Sequence, residues 1–123
     1  MAKKIIFSPL APAPIGPYSQ AVMIQDTLYV SGQIAVDLAF SGSIADEADQ
    51  VLVYLGYILA EAGLNYSDVV KSSIFLKNMD DFSVVNEVYG RYFTENPPAR
   101  ETVQVAKLPK DVRVEISVIA VKS

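Results

Sequence analysis

The sequence predicts an α+β fold in the order β-β-β-α-β-α-β-β, a mixed sheet with two helices packed on one face. Three observations carry this prediction. Short β-branched runs lie at both ends of the chain, two segments with three-and-four apolar spacing lie between them, and prolines and turn residues separate the segments. At 123 residues and 51% hydrophobic content, the chain fits one domain, 1–123. Such a domain buries roughly two-thirds of the surface of its unfolded chain.

Lys3 to Phe7 reads as the first strand. Ser8 to Pro17 holds four prolines, whose fixed φ and missing donor forbid regular structure, so it is a shaped loop. Ala21 to Ile24 and Thr27 to Ile34 are apolar runs joined at Gln25 and Asp26, the pattern of an antiparallel hairpin. A further turn lies around Ser41 to Ser43. From Asp46 to Ala62, the residues Ala48, Val51, Leu52, Leu55, Ile58, Leu59 and Ala62 follow helical spacing, and Gly63 suits the left-handed position after it.

Asp68 to Lys77 is rich in β-branched residues and reads as a strand. Asp80 or Asp81 then caps a second helix whose stripe is Phe82, Val85, Tyr89 and Phe93, with Pro97 and Pro98 as its stop. Thr102 to Ala106 and Val112 to Val121 are the last strands, joined by a turn at Leu108 to Asp111. In the final strand Val114, Ile116 and Val118 alternate with Glu115 and Ser117, but Ile119 and Val121 place apolar groups on the second face as well. Two helices cover one face only, so the other face implies packing between subunits.

The formal charge is −4 and the chain has neither cysteine nor histidine. This excludes disulfides, thiolate nucleophiles, imidazole bases and the usual zinc or haem ligands, so no metal is expected. The acidic balance and isolated basic pairs (Lys3 with Lys4, Lys107 with Lys110) argue against nucleic acid as a partner. No apolar run reaches the roughly 20 residues of a membrane span, and Met1 to Leu10 lacks the apolar core of a signal peptide. A cytoplasmic protein with no membrane partner is the expectation.

Two blocks carry more specific information. Ala11-Pro12-Ala13-Pro14-Ile15-Gly16-Pro17-Tyr18-Ser19-Gln20-Ala21 is followed by Tyr29-Val30-Ser31-Gly32-Gln33-Ile34. Near the end come Pro98-Ala99-Arg100, then Val105-Ala106-Lys107-Leu108-Pro109-Lys110-Asp111, then Val114-Glu115-Ile116 and Ile119-Ala120-Val121. In order and spacing these resemble the signatures of the reactive-intermediate deaminase (RidA or YjgF) family. The resemblance implies a chorismate-mutase-like homotrimer, with sheets lining a central barrel, helices outside and active sites in clefts between subunits. It also implies hydrolysis of 2-imino (enamine) acids, such as 2-iminobutanoate and 2-iminopropanoate, to 2-oxo acids and ammonia without a cofactor.

An enzyme for that reaction must hold a carboxylate and present water to a C=N carbon. Arg100 offers a planar fork of donors suited to the carboxylate; alone it would read as a surface or interface ion pair, and the resemblance assigns it the ligand role. Strand alternation alone would turn Glu115 to solvent, whereas the resemblance makes it the catalytic group that orients water and passes on its proton. Tyr18, at the end of the stiff proline-rich loop, is the second catalytic candidate, its alternative being aromatic packing against a neighbouring subunit.

Ser31 and Gly32 are substrate-binding candidates that an ordinary bulge would also explain. Asn86, one residue after Val85 on the inward stripe of the second helix, reads equally as a buried structural amide or as a substrate contact. Thr102 stands where many relatives carry a cysteine, so chemistry assigned to that thiol does not transfer; it stays among the substrate-binding candidates.

The first helix departs from the family pattern. Val53, Tyr54 and Tyr57 stand opposite its Leu52 and Leu55 side, and the preceding turn adds Leu38, Ala39 and Phe40. Gly56, which lowers helix propensity by roughly 1 kcal/mol relative to Ala, suggests a close approach there. Together they suggest a second interface for an additional protein partner or higher-order assembly, natural or engineered, against the alternative that a local loop covers them. A trimeric scaffold with an idle pocket is thus the competing function. RNA cleavage, a third reading, conflicts with the acidic charge.

Overall fold

The computed structural model describes residues 2–123. Met1, which belongs to the domain 1–123 and the Met1 to Leu10 segment considered above, lies outside the described residues. The elements run β1 (Lys4–Ile6), β2 (Ala21–Ile24), β3 (Thr27–Gln33), α1 (Val36–Ser41), α2 (Ile44–Glu61), β4 (Val69–Leu76), α3 (Phe82–Gly90), β5 (Ala99–Gln104) and β6 (Val114–Val121). The six strands form one mixed sheet in the order β1-β2-β3-β6-β4-β5, in which only the β4–β5 pair is parallel. This is the α+β architecture that the periodicity predicts, with one helix added.

The hairpin between β2 and β3 turns at Gln25 and Asp26, where Ile24 pairs with Thr27. The added helix, α1, precedes the expected Ser41 to Ser43 turn and shares only Ser41 with it. Ser43 then caps α2, its hydroxyl accepting the N–H of Asp46 at 3.1 Å. Gly63 ends that helix with φ of 77°, the left-handed conformation expected of it.

The second main helix differs from expectation at both ends. Neither aspartate caps it by its side chain: Asn78 accepts the N–H of Asp80 at 2.9 Å and starts a 3₁₀ turn (Met79–Asp81) that runs into α3. The helix stops at Gly90, well before Pro97, because Arg91 and Tyr92 close tighter turns onto Val88 and Tyr89 while Phe93 folds back into the core.

Burial separates the two faces of the sheet. Val114, Ile116, Val118 and Ala120 of β6, with Ser72, Ile74 and Leu76 of β4, are buried beneath α2 and α3. Each large aliphatic side chain so buried contributes roughly 1.5–3 kcal/mol. The one polar member of that set is satisfied, since the Tyr89 hydroxyl donates to Ser72 Oγ at 2.8 Å. The opposite face is open and mixed. Ile5, Tyr29 and Val103 are about half exposed there, beside an ion pair of Lys71 with Glu101.

The close approach expected at Gly56 comes from this chain. A Cβ at that position would lie 2.2 Å from the hydroxyl oxygen of Tyr66, which donates to the Leu52 carbonyl at 2.6 Å. Tyr66 is half-buried against Tyr92 and Phe93, and burial together with the nearby Asp49 carboxylate raises its pKa to about 12. Part of the outer surface of α2 is thus covered locally.

Candidate active site

The site begins with the proline-rich loop, which is fixed by a residue that periodicity did not single out. Gln20 is 2% exposed, and its amide accepts the N–H of Ser8 at 2.7 Å and donates to the carbonyls of Ser8 at 3.1 Å and Pro12 at 2.9 Å. A buried amide satisfied on both sides ties a loop that has few backbone hydrogen bonds of its own. Ser31 adds a second tie, its hydroxyl donating to the Ser19 carbonyl at 2.6 Å. Tyr18 ends the loop, and its hydroxyl oxygen accepts the Ile15 N–H at 3.3 Å, which leaves the phenolic proton to donate elsewhere.

Ser31 and Gly32 lie where the β3–β6 register shifts between Val30 and Gln33, the bulge that their pairing suggested. The bulge brings the Gly32 backbone against Glu115, so that a Cβ on Gly32 would meet Glu115 Oε2 at 2.4 Å. Tyr18, Ser31, Gly32 and Glu115 line one cavity of about 650 Å³. Its other walls include Tyr54 of α2, Val36 and Asp37 of α1, and Lys110. Lys110 and Asp111 both have positive φ, 57° and 56°, in the turn before β6. Such conformations cost non-glycine residues about 1 kcal/mol or more each.

Glu115 is half-buried, and burial pushes its carboxyl above the ordinary value of 4.5. Desolvation of this kind leaves a carboxylate more basic and its acid form more available near neutral pH. The cavity therefore combines one tuned carboxyl, the phenols of Tyr18 and Tyr54, and the Gly32 backbone held close to the carboxyl. Among the described residues no three His, Cys, Asp or Glu side chains gather as a metal site.

Arg100 lies elsewhere. It sits on β5 opposite Ser72 of β4, whereas Glu115 on β6 lies opposite Phe75 of the same strand. An odd separation along β4 puts the two side chains on opposite faces of the sheet. Arg100 is on the helix side, where its guanidinium stacks 5.0 Å from the Tyr89 ring centroid and 5.7 Å from that of Phe82. Its Nη1 donates to Asn86 Oδ1 at 2.8 Å. No carboxylate of the described residues pairs with it.

Asn86 is exposed, not buried, because the inward stripe of α3 is Val85, Val88 and Tyr89 and the next position turns outward. Its amide holds Arg100. Thr102 follows on the same face as Arg100, opposite Ile74, and its buried Oγ1 has no hydrogen-bond partner among the described residues. Within one chain the candidate residues therefore form two groups, Tyr18–Ser31–Gly32–Glu115 and Arg100–Asn86–Thr102.

The residues suggested for a second interface separate as well. Leu38 and Tyr54 pack against the core, Tyr54 also reaches the cavity, and Val53 is half-buried. Phe40 and Tyr57 remain exposed, at 69% and 38%. No described helix is long and apolar enough to cross a membrane.

The endoribonuclease L-PSP family model matches residues 8–122. A bovine protein named 2-iminobutanoate/2-iminopropanoate deaminase is 48% identical, over 99% of this chain and 92% of its own. A RutC family protein of Synechocystis is 49% identical over 98% of both chains. Among solved structures, Escherichia coli TdcF with bound serine superimposes with a TM-score of 0.90 at 40% identity, covering 98% of this chain and 99% of that one. Yeast Mmf1 gives 0.92 at 36% identity, covering 99% and 100%. On a family match of this extent and relatives at this identity, the chain belongs to the RidA/YjgF family that the L-PSP model describes.

Proposed function

We propose that the protein is a cofactor-free imine deaminase that hydrolyses short 2-imino acids to 2-oxo acids and ammonia, acting as a homotrimer with each active site shared by two subunits. The observation that carries this reading is Arg100, a cation stacked on two aromatic rings and oriented by Asn86, yet without a carboxylate partner among the described residues. A guanidinium so preorganised suits a carboxylate brought by a ligand. It lies on the face of the sheet opposite Glu115, so a site using both groups draws them from two copies. The open, partly apolar sheet face offers the surface on which copies pack. Relatives named for this activity support the chemistry.

In this scheme the neighbouring subunit's clamp grips the substrate carboxylate and leaves the protonated imine carbon beside Glu115. Glu115 accepts a proton from water as the new C–O bond forms. It then returns that proton to the nitrogen and, as the C–N bond breaks, takes the hydroxyl proton, so that the carbonyl forms, ammonia leaves and the last proton passes to the ammonia, giving ammonium. Tyr18 hydrogen-bonds the substrate or the water through its phenolic O–H, while Ser31 and Gly32 shape the pocket floor and Thr102 supports the clamp. The raised pKa of Glu115 suits a group that must both take and give a proton.

Ammonia release from 2-iminobutanoate, generated in place by a threonine dehydratase, tests the reading. The protein accelerates release and Arg100→Ala abolishes the acceleration; no acceleration by the wild-type protein overturns the proposal. The ribonuclease named in the family description is not extended to this chain, whose formal charge is −4. A second reading, assembly of trimers through the outer surface, rests on Phe40 of α1 at 69% exposure and the exposed Tyr57 of α2. A purified chain that runs only as a trimer in light scattering removes self-assembly.

A further inference from the structure

An ion pair outside the proposed chemistry joins three elements around the cavity. Glu47, in the first turn of α2, is fully buried. Its carboxylate accepts the backbone N–H groups of Arg113 at 2.8 Å and Val114 at 3.3 Å, and Arg113 Nε at 2.6 Å. The far arm of the same guanidinium, Nη2, donates to the carbonyls of Leu38 at 3.0 Å and Gly42 at 2.8 Å. One side chain thus links α2, the entry to β6 and the C-terminal end of α1.

The helix α1 needs such an anchor. It has six residues, no fully buried side chain, and no side-chain cap at Ala35. A helix this short does not persist on its own hydrogen bonds. Leu38 packs against the core, and Arg113 supplies donors to two carbonyls at the helix end. Val36 and Asp37, in the first turn of α1, line the cavity; so does Glu115, two residues beyond Arg113. The spacing between those two parts of the cavity wall is therefore set through Arg113.

We propose that Arg113, held by the buried Glu47, is a positioning residue that fixes α1 relative to Glu115 and thereby sets the size of substrate side chain the cavity admits. This rests on the imine-deaminase reading of the cavity. Arg suits the task because its planar fork reaches a carboxylate and two carbonyls at once, whereas the single ammonium of a lysine does not.

Two variants test it, Arg113→Lys and the double variant Glu47→Gln/Arg113→Met, the second leaving no unpaired buried charge while Gln keeps an oxygen for the backbone N–H. Hydrogen exchange at Ala39 and Gly42, whose N–H groups bond within the α1 segment, is expected to quicken about tenfold in both variants while β4 and β6 keep their protection. The KM for 2-iminobutanoate is expected to rise about fivefold at nearly constant kcat, with imines of bulkier branched side chains gaining relative to it. Unchanged exchange in α1 overturns the anchor. Equal acceleration in the core strands of both variants overturns it too, as a purely structural pair. Faster α1 exchange with unaltered KM and selectivity overturns the substrate-size claim. Wild-type protein without deaminase activity overturns the functional reading, and the exchange result then separates that failure from a failure of the anchor.

Discussion

Replacing Gly32 by Ala moves the proposed catalytic carboxylate without changing its chemistry. The new Cβ would stand 2.4 Å from Glu115 Oε2, 2.7 Å from Cδ and 2.9 Å from Cγ, where ordinary contact begins at 3.4 Å. Glu115 must therefore retreat by about 1 Å, a displacement that costs on the order of 100-fold in rate when it falls on a catalytic group. Gly32 does not have positive φ, so alanine fits the backbone. The atoms in conflict belong to a side chain that can swing, and the fold should survive. The account predicts a loss of about 100-fold in kcat/KM, about 2.7 kcal/mol of transition-state stabilisation, with Tm within a few degrees of wild type. Continuous detection of the 2-oxo acid product gives the first quantity and thermal unfolding the second. A folded Gly32→Ala protein with undiminished kcat/KM refutes the placement of Glu115 at the reacting centre.

Two further predictions concern the carboxyl and the clamp. Burial raises the Glu115 pKa, so the native state binds more protons than the unfolded chain between the ordinary value of 4.5 and the raised one, and stability falls as pH rises through that window. Glu115→Gln is expected to remove this fall in chemical unfolding curves and to abolish activity; the wild-type kcat/KM should climb through an acid limb above pH 4.5. An unaltered pH–stability slope in the variant sinks the assignment of that shift. Thr102→Val deletes the buried, unpartnered hydroxyl, so stability should hold or rise by about 1 kcal/mol while KM for the imine increases severalfold. A drop in stability with unchanged KM makes the hydroxyl structural.

Much of the fold was legible because its signals are local. Gln25 and Asp26 stand between two apolar runs, and the α2 stripe from Ala48 to Leu59 is long enough to fix its period. The short helix from Val36 to Ser41 gave no such signal: six residues without a fully buried side chain carry no periodicity, and its anchor, Arg113, lies far along the chain. Asn86 was misplaced by one position on its helix, enough to turn a side chain from core to solvent.

The site was legible in its residue types through the resemblance, and not in its arrangement. That Arg100 and Glu115 face opposite ways depends on the register of both strands against β4, on Ser72 and Phe75, which neither strand's own sequence specifies. Glu47 gave no sign of burial, since an acidic residue in the first turn of a helix is commonly a solvated partner of the helix dipole. Gln20 sits inside the proline-rich motif itself. The paired carbonyls of Ser8 and Pro12 are what an internal amide must satisfy there, and they become visible only once the loop is folded.

Subunit complementation tests the shared site most directly. Arg100→Ala and Glu115→Gln chains, each inactive alone, are unfolded together, refolded as a mixture and assayed for ammonia release from 2-iminobutanoate. Random mixing in a trimer joins an intact Glu115 to a neighbour's intact Arg100 at about a quarter of the sites, so activity should return to about a quarter of wild type. A mixture that stays as inactive as either variant contradicts an active site built from Arg100 of one copy and Glu115 of the next.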